Sequence, residues 1–448
     1  MNIDPIITRG IARLIEEPDE LLELTRTKGA ITLIDLDEYR KNLNVWNAVL
    51  AEHRVETYLA HKATTSPAIL RATREAGNGI DVASLGELES ALNAGFAPEK
   101  IECTGPKNNA FLSRAAETGC LISIDSLEEL ERLEKLGMKI RVLIRIADPP
   151  VSGRTVLARR SKFGLRRDEI ESSYTIIERS HIELHGFHVH RDGLDAGMRA
   201  LVAEGLLEMI IDARSRGFMP TIINLGGGIS APRIANQEQW RTLVHRFETQ
   251  LLNNEHHETW GAHAYGMALT SRGTIMNRAL AEKPGGTEDP LAFIGALLNT
   301  RTSHDVSLTT ILSEADITLI LEPGRSLLTS SGITAATVIG VKEADIPLTV
   351  CDTNILALGS RMIEPVADPI LVPTTHTEPF TTFLAGTLCR EDDILMQRAV
   401  RLPRRPQAGD VLIFTARGAY QHYEQSHAQL QPITTPYVLE HGELRRDE

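Results

Sequence analysis

Residues 57–95 read TYLAHKATTSPAILRATREAGNGIDVASLGELESALNAG, and this stretch contains the repeat that decides the fold. Thr57–Ala60 and Ile80–Ala83 are short strand-like runs, while Leu85–Ala94 has apolar residues near a 3.6-residue period. Strands that alternate with helices indicate a parallel sheet covered by those helices.

The same alternation extends from about residue 30 to residue 230. The strand candidates are Ile31–Ile34, Thr57–Ala60, Ile80–Ala83, Ile101–Cys103, Leu121–Ile124, Val142–Ile146, Leu184–Val189 and Ile222–Leu225. Eight such repeats favour a closed (β/α)8 TIM-type barrel over an open sheet. We place this barrel at residues 31–328.

The remaining segments have other patterns. After residue 329 the chain alternates strands with polar turns, which predicts a C-terminal all-β domain, a barrel or a sandwich, over 329–448. Residues 1–30 are expected to pack on that β domain. Residues 253–305 are polar and rich in glycine, so we interpret them as an insertion in the barrel that is either a lid or a surface excursion without function.

The composition excludes several function classes. The 448 residues carry a net charge of −13, which disfavours nucleic acid and anionic membranes as partners. The four cysteines form no CxxC pair, so neither a metal site nor a disulfide framework is expected. The N-terminus has no apolar h-region and no run of about 18 apolar residues occurs, so we expect no signal peptide or membrane span, and a cytoplasmic location.

Chemically capable side chains collect where the strand candidates end, which is where barrel enzymes place their active sites. The residues predicted to meet there are Lys62, Asp81, His188, His190, Gly226, Gly227, Gly228 and Glu322. The glycine run can present backbone N–H groups to an anion such as phosphate, and Arg325 can add a charged donor. A desolvated lysine near other cations is the kind that forms Schiff bases. A triple glycine is also typical of a tight turn, and an isolated lysine of a surface, so the combination carries the prediction.

Eight motifs follow one another between about Ile31 and Tyr420. They are Tyr58-Leu-Ala-His-Lys62-Ala, Gly79-Ile-Asp81-Val-Ala-Ser-Leu-Gly-Glu87-Leu, Ser161-Lys-Phe-Gly164, Gly186-Phe-His-Val-His190, Leu225-Gly-Gly-Gly228, Glu322-Pro-Gly-Arg325, Gly386-Thr-Leu-Cys389 and Gly418-Ala-Tyr420. In this order they resemble the fold type III pyridoxal 5′-phosphate (PLP)-dependent decarboxylases, the group of diaminopimelate, ornithine and arginine decarboxylases.

The resemblance implies a role for each matched residue. Lys62 would hold PLP as a Schiff base, Glu322 would pair with the pyridine nitrogen, and His190 would stack on the ring. Asp81 and Glu87 would support Lys62 or His190. The residues implied to bind the cofactor phosphate are Gly226, Gly227, Gly228, Gly324, Arg325 and Tyr420. Cys389 would act as the general acid after decarboxylation, and since the family shares this residue between subunits, the implied assembly is a homodimer.

Two departures from the family pattern bear on the cofactor and the substrate. The family has Gly-Ser after the second histidine, whereas here Arg191-Asp192-Gly193 follows, so either Arg191 compensates or the phosphate contacts differ. Arg390 replaces the glutamate that meets the distal ammonium of diaminopimelate, and arginine prefers a carboxylate or phosphate. We therefore expect an amino-acid substrate with an anionic or bulky distal group, from a specialised pathway such as siderophore or peptide natural-product synthesis. Its candidate contacts are Arg361, Arg390 and Glu391.

Three alternatives remain open at this stage. The chain could be a diaminopimelate decarboxylase of lysine biosynthesis, or a racemase on the same barrel, although Glu322 at the pyridine nitrogen speaks against racemisation. It could also be a catalytically silent homologue that binds a partner protein.

Overall fold

The computed structural model describes residues 2–149, 151, 161–255, 258–285, 289–303, 305–358, 364–375, 377–420 and 425–448. The strands are β1 (Ile31–Asp35), β2 (Val55–Ala60), β3 (Gly79–Val82), β4 (Ile101–Cys103), β5 (Leu121–Ile124), β6 (Ile140–Arg145), β7 (Ile182–His188), β8 (Ile222–Asn224), β9 (Ala268–Leu269), β10 (Ile275–Met276), β11 (Thr318–Leu321), β12 (Gly332–Lys342), β13 (Leu348–Cys351), β14 (Ile370–Val372), β15 (Phe380–Ala385), β16 (Val400–Leu402), β17 (Val411–Phe414), β18 (Thr435–Glu440) and β19 (Glu443–Arg446). The α-helices are α1 (Arg9–Glu16), α2 (Asp19–Lys28), α3 (Leu36–Leu50), α4 (Pro67–Glu75), α5 (Leu85–Asn93), α6 (Asn109–Thr118), α7 (Leu127–Glu134), α8 (Ile170–Glu178), α9 (Ala196–Ser215), α10 (Gln237–Asn253), α11 (Arg278–Glu282), α12 (Pro290–Asn299), α13 (Leu308–Glu314) and α14 (Arg325–Leu328).

The chain divides into two compact units, and the first to be described is the barrel unit, residues 43–229 and 289–326. Its strands close in the order β11-β2-β3-β4-β5-β6-β7-β8, and neighbouring strands are parallel. An apolar cluster of Tyr58, Leu121, Leu143 and Ile320 joins side chains of four of these strands. The predicted (β/α)8 barrel is thereby confirmed.

Polar side chains begin the helices that follow the barrel strands. Ser66, Ser84, Asn108, Ser126 and Asp195 each accept a hydrogen bond from a backbone N–H in the first turn of the helix that they precede. Such caps satisfy donors that would otherwise lack a partner inside the helix. They fix where each helix starts, and so they position the loops at the C-terminal ends of the strands.

The prediction that Ile31–Ile34 is the first barrel strand is wrong. This segment, β1, pairs antiparallel with β12 and parallel with β18, and both partners belong to the C-terminal sheet. The barrel position is taken by β11, the apolar run that precedes Glu322. All five residues of β1 are buried, as in a barrel strand, so the local pattern is the same in both settings.

The second unit comprises residues 1–42, 230–288 and 327–448. Its nine-stranded sheet runs β16-β15-β13-β12-β1-β18-β19, with β14 paired to β17 and β17 paired to β12. Ile11, Leu14 and Leu21 of the N-terminal helices lie in one apolar cluster with Ile333 and Leu439 of this sheet. The sheet agrees with the β domain that was expected in the C-terminal part of the chain.

Part of the predicted insertion has a core within this second unit. Tyr265 stacks on Phe247 of α10 at a centroid distance of 5.5 Å and meets Trp240 edge-on. Met267 and Val366 belong to the same buried cluster. Among the described helices, none combines the length and the apolar composition that would be needed to cross a membrane.

Candidate functional site

The C-terminal ends of the barrel strands bring together most of the barrel residues predicted to be functional. Lys62 lies in the short 3-10 turn His61–Ala63 directly after β2, and Asp81 lies in β3. His188 ends β7, and Glu322 follows β11. Asp81, His188 and Glu322 are each about 1% exposed, whereas the Lys62 side chain is 32% exposed. The site therefore combines an accessible amine with buried acids.

Lys62 and Asp81 form the first part of the site. The Lys62 Nζ atom lies 3.5 Å from Oδ2 of Asp81, and the Thr104 hydroxyl donates to the other oxygen, Oδ1, at 2.5 Å. Burial and the nearby charge of Glu322 raise the pKa of Asp81 to about 6, although Lys62 and Thr104 favour its ionised form. Glu87, which was also expected to act near Lys62, accepts the backbone N–H of Ala83 at 2.7 Å.

Glu322 is surrounded by nitrogen atoms. Asn224 Nδ2 donates to Oε1 at 2.8 Å, and His190 Nδ1 lies 3.1 Å from Oε2. His188 Nε2 lies 3.4 Å from Oε1. Burial alone would raise the pKa of Glu322, but the hydrogen bond and charge of His190 and the Lys62 ammonium outweigh it and hold that pKa well below its usual range. The result is an ionised carboxylate inside the barrel.

The pKa values of the two histidines are shifted in opposite directions. Burial lowers the pKa of His188, whose Nδ1 shares a 2.7 Å hydrogen bond with Ser123 Oγ, so this ring stays neutral. For His190, burial opposes protonation, but the neighbouring Asp192 and the hydrogen bond to Glu322 prevail and raise its pKa. His190 Nε2 lies 3.8 Å from Asp192 Oδ1. The protonated form of His190 is therefore favoured beside Glu322.

A glycine run beside these groups forms what we call the anion cradle, defined as Gly226–Gly228 together with Arg199 and Arg325. Gly226 and Gly228 have φ of 66° and 75°, values that glycine adopts without strain. A Cβ atom on Gly227 would come nearer than 3.0 Å to the carbonyl oxygen of Glu322.

Asp192 also lies at the cradle. The neighbouring His190 lowers the pKa of Asp192 to about 2, and Arg325 and Arg199 act in the same direction. The cradle therefore contains two guanidinium groups and one carboxylate.

Cys389, Arg390, Glu391 and Tyr420 belong to the second unit. Cys389 is exposed, and its backbone N–H donates to Gln429 Oε1 at 2.9 Å. Arg390 forms two hydrogen bonds to Asp392, at 2.6 and 2.8 Å. Tyr420 has φ of 63°. Arg361 lies outside the described residues.

Asn224 and Glu102 were not among the residues predicted from the sequence to be functional. Asn224 Nδ2 bridges Glu102 Oε2 at 2.7 Å and Glu322 Oε1 at 2.8 Å. Asn224 directly precedes Leu225-Gly-Gly-Gly228 at a strand end, so its position could have marked it. Glu102 is an acidic residue inside the three-residue strand Ile101–Cys103, which is itself an unusual feature.

The site has groups for either a cofactor or a metal. His188, His190 and Glu322 offer ligand atoms that all lie within 4.8 Å of one another. The cradle with its two arginines suits an anionic group instead, and Lys62 suits a carbonyl compound.

Comparisons with known proteins favour the cofactor. Residues 36–258 match the family model "Pyridoxal-dependent decarboxylase, pyridoxal binding domain". A Sinorhizobium fredii protein described as uncharacterised is 27% identical over 444 residues, covering 94% of this chain and 90% of its own. The Escherichia coli diaminopimelate decarboxylase is 23% identical over 422 residues, covering 86% of this chain and 84% of its own.

Solved structures show the same fold. The diaminopimelate decarboxylase of Helicobacter pylori, complexed with L-lysine, superimposes with a TM-score of 0.72 at 19% identity, covering 96% of each chain. The arginine decarboxylase of Paramecium bursaria Chlorella virus gives a TM-score of 0.70 at 18% identity, covering 95% of this chain and all of the other.

Proposed function

Because this chain is a divergent member of the fold type III PLP-dependent decarboxylases, we propose that it decarboxylates an amino acid whose distal end is anionic or bulky. The single observation that carries the decarboxylase chemistry is the buried Glu322 carboxylate, held by Asn224 and His190 in the same barrel as Lys62. A carboxylate in this state can keep a pyridine nitrogen protonated.

The residues of the barrel unit fit the family's cofactor. Oδ2 of Asp81 and Nε2 of His188 are buried atoms without a hydrogen-bond partner among the described residues, and both belong to the side chains around Lys62 and Glu322. Gly227 leaves no room for a Cβ, because its backbone packs against the carbonyl oxygen of Glu322, and this close contact holds the glycine run beside Glu322. Lys62, Glu322, His190 and the anion cradle would hold the cofactor's carbonyl carbon, ring nitrogen, ring and phosphate.

Each side chain then has a defined task. Bound PLP supplies the electron sink for the electron pair that remains when carbon dioxide leaves. Asp81, whose Oδ2 lies 3.5 Å from Nζ, orients the Lys62 amine. Glu322 holds a proton at the ring nitrogen, and its own charge is maintained by His190 and Asn224. We further propose that Cys389 delivers the proton to the substrate carbon and that Tyr420 contacts the phosphate.

The proposed substrate preference depends on Arg390. Its pair with Asp392 is about half exposed on both sides, at 44% and 45%. A surface ion pair of this kind contributes little to stability, so a substrate carboxylate can take the place of Asp392. Glu391 and Arg361 are the further candidate contacts. We propose a specialised biosynthetic pathway, such as one that makes a siderophore or a peptide natural product.

Diaminopimelate is the second candidate substrate, because several relatives at 23–24% identity are diaminopimelate decarboxylases. A substrate panel separates the two. Carbon dioxide release is measured with meso-diaminopimelate, lysine, ornithine and arginine, and with glutamate, 2-aminoadipate and amino acids with bulky carboxylated side chains. Faster turnover of a carboxylate-bearing substrate is expected, whereas a preference for meso-diaminopimelate or lysine would refute the proposed specificity.

A spectrum tests the cofactor itself. The protein reconstituted with PLP is expected to absorb near the visible edge, and Lys62→Ala is expected to lose that band while still folding. Lys100→Ala is a matched control, because Lys100 pairs with Glu56 at 2.9 Å and is 42% exposed. An unchanged band in Lys62→Ala would disprove the role of Lys62. No band in the wild-type protein would instead support a silent homologue that binds a partner.

We also propose a homodimer with shared sites, in which Cys389 serves the barrel of the partner subunit. Lys62→Ala and Cys389→Ala are each expected to lose most activity alone. After mixing and reassortment, about a quarter of the wild-type activity should return, since about half of the dimers then carry one intact site. Failure to recover activity, with heterodimers verified, would contradict shared sites.

Finally, we propose a reducing location such as the cytoplasm, because Cys103, Cys120, Cys351 and Cys389 are free thiols. Fractionation of the native host would test it.

A further inference from the structure

Glu102 is a buried acid whose side chain enters the barrel. It lies in the middle of β4 with 0% exposure, and its Oε2 accepts a hydrogen bond from Asn224 of β8. Because β4 and β8 stand opposite each other in the ring of eight strands, this hydrogen bond crosses the barrel interior. Such positions are ordinarily filled by Val, Ile or Leu, so an acid there is a costly choice unless its contacts are used.

The side-chain amide of Asn224, which contacts Glu102, makes three hydrogen bonds. The amide oxygen of Asn224 accepts the Gly226 N–H at 2.7 Å. Its Nδ2 gives one hydrogen to Glu102 at 2.7 Å and the other to Glu322 at 2.8 Å. With all three directions fixed, the amide can present its second N–H to Glu322 in one orientation only.

The surroundings of Glu102 suit an uncharged acid. Oε1 of Glu102 is buried and has no hydrogen-bond partner among the described residues, although His188 Nδ1 lies 3.8 Å away. Burial, together with the charges of Glu322 and Asp81, raises the pKa of Glu102 well above its usual value, while the hydrogen bond from Asn224 and the charge of Arg145 act in the opposite direction. An ionised carboxylate with one unpaired oxygen would be strongly disfavoured here.

We propose that Glu102 is a positioning residue for the cofactor site: its buried side chain accepts one N–H of Asn224 across the barrel and so directs the other at Glu322. The inference rests on the proposed role of Glu322 at the ring nitrogen. An uncharged Glu102 supplies the acceptor without adding a second negative charge beside Glu322, which a second carboxylate would destabilise.

Two substitutions of Glu102 distinguish its role as a hydrogen-bond acceptor from any effect of a negative charge. Glu102→Gln keeps a carbonyl acceptor and carries no charge, whereas Glu102→Leu removes the acceptor. PLP binding is measured by titration of the visible band, and the pH dependence of that band is recorded for each protein. Glu102→Gln should stay within about twofold of the wild-type dissociation constant and keep its pH profile. Glu102→Leu should weaken binding by about tenfold or more and displace the profile, since one charge-assisted hydrogen bond to Glu322 is lost.

Either of two outcomes would overturn the proposal: Glu102→Gln behaving like Glu102→Leu, or Glu102→Leu behaving like the wild type. If Glu102→Leu does not fold, the protonation of Glu102 is tested instead by the infrared difference spectrum of the wild-type protein minus Glu102→Gln. The spectrum is recorded at about pH 8, because Asp81 is then ionised and does not contribute a protonated-carboxyl band. A protonated carboxyl stretch in the wild type alone supports the proposal, and its absence refutes it. These readouts require no turnover, so they stay informative even if the substrate panel finds no decarboxylation.

Discussion

Replacing Gly227 by alanine probes how closely the glycine run is fitted against Glu322. The new Cβ would approach the Glu322 carbonyl oxygen to less than 3.0 Å, and 3.4 Å is the shortest ordinary contact. Gly227 and Glu322 must therefore separate by a sizeable fraction of 1 Å, and this strains the 3.0 Å hydrogen bond from the Glu322 N–H to the Gly226 carbonyl. A displacement on the order of 1 Å in catalytic geometry can reduce the rate about 100-fold.

We accordingly expect Gly227→Ala to lower kcat/KM by roughly 10- to 100-fold and to weaken PLP binding in the visible titration. Gly295→Ala is the matched control, because Gly295 lies in α12 of the same unit and a Cβ there would meet nothing within 4 Å. That control should keep its activity and gain up to about 1 kcal/mol in stability, since alanine is the better helix former. If Gly227→Ala kept both kcat/KM and cofactor affinity within twofold of the control, the argument from close contact would be refuted.

Three further predictions follow from other contacts. Asn224→Asp places a carboxyl against Glu322, whose charge at about 4 Å should raise the pKa of that new carboxyl by roughly three units. The pKa of this carboxyl is then higher in the folded than in the unfolded protein, so the variant loses stability as the pH rises from about 4 to about 7. Its Tm, measured relative to that of Asn224→Leu, should fall over this range. A Tm difference that does not change with pH would contradict the prediction. Asp192→Asn should tighten binding of PLP by about tenfold and leave binding of unphosphorylated pyridoxal unchanged, since it removes a like charge beside the phosphate; equal effects on both ligands would refute the charge argument. Lys107→Met should lower the free energy of chemical unfolding by about 3–5 kcal/mol, because it leaves the buried Glu129 carboxylate without its ion-pair partner. Lys100→Met, at a partly exposed ion pair, should lower it by about 0–1 kcal/mol. Equal losses in the two variants would disprove the effect of burial.

The sequence predicted which residues lie together in the candidate site wherever a reactive side chain stands at the end of a predicted strand. Lys62, Asp81, His190 and Glu322 were predicted to lie together because each stands at or after the end of a strand-like run, and parallel strands bring those ends to one side. The motifs added their proposed roles. Only local patterns and their order along the chain were needed for this part.

What the sequence could not supply were pairings over long distances. Ile31–Ile34 has the same apolar character as a barrel strand and is followed by a helix, so nothing local separates it from β2. The contact of Asn224 with Glu102 joins residues 122 positions apart, and neither side chain has a motif that names its partner. Both cases depend on which elements become neighbours, which is decided by the closure of the whole barrel or sheet.

The central place of β1 in the nine-stranded sheet has a consequence for how the molecule is made. Strand β1 sits between β12 and β18, which leave the ribosome some three hundred or more residues after it. Until then its backbone N–H and C=O groups lack their final partners, and such an exposed apolar strand is prone to pair with other chains. An isolated fragment of residues 329–448 would lack β1, so β12 and β18 would both have backbone N–H and C=O groups without their partners. Expression of this separate C-terminal domain should therefore yield aggregates unless a peptide of residues 29–36 is added.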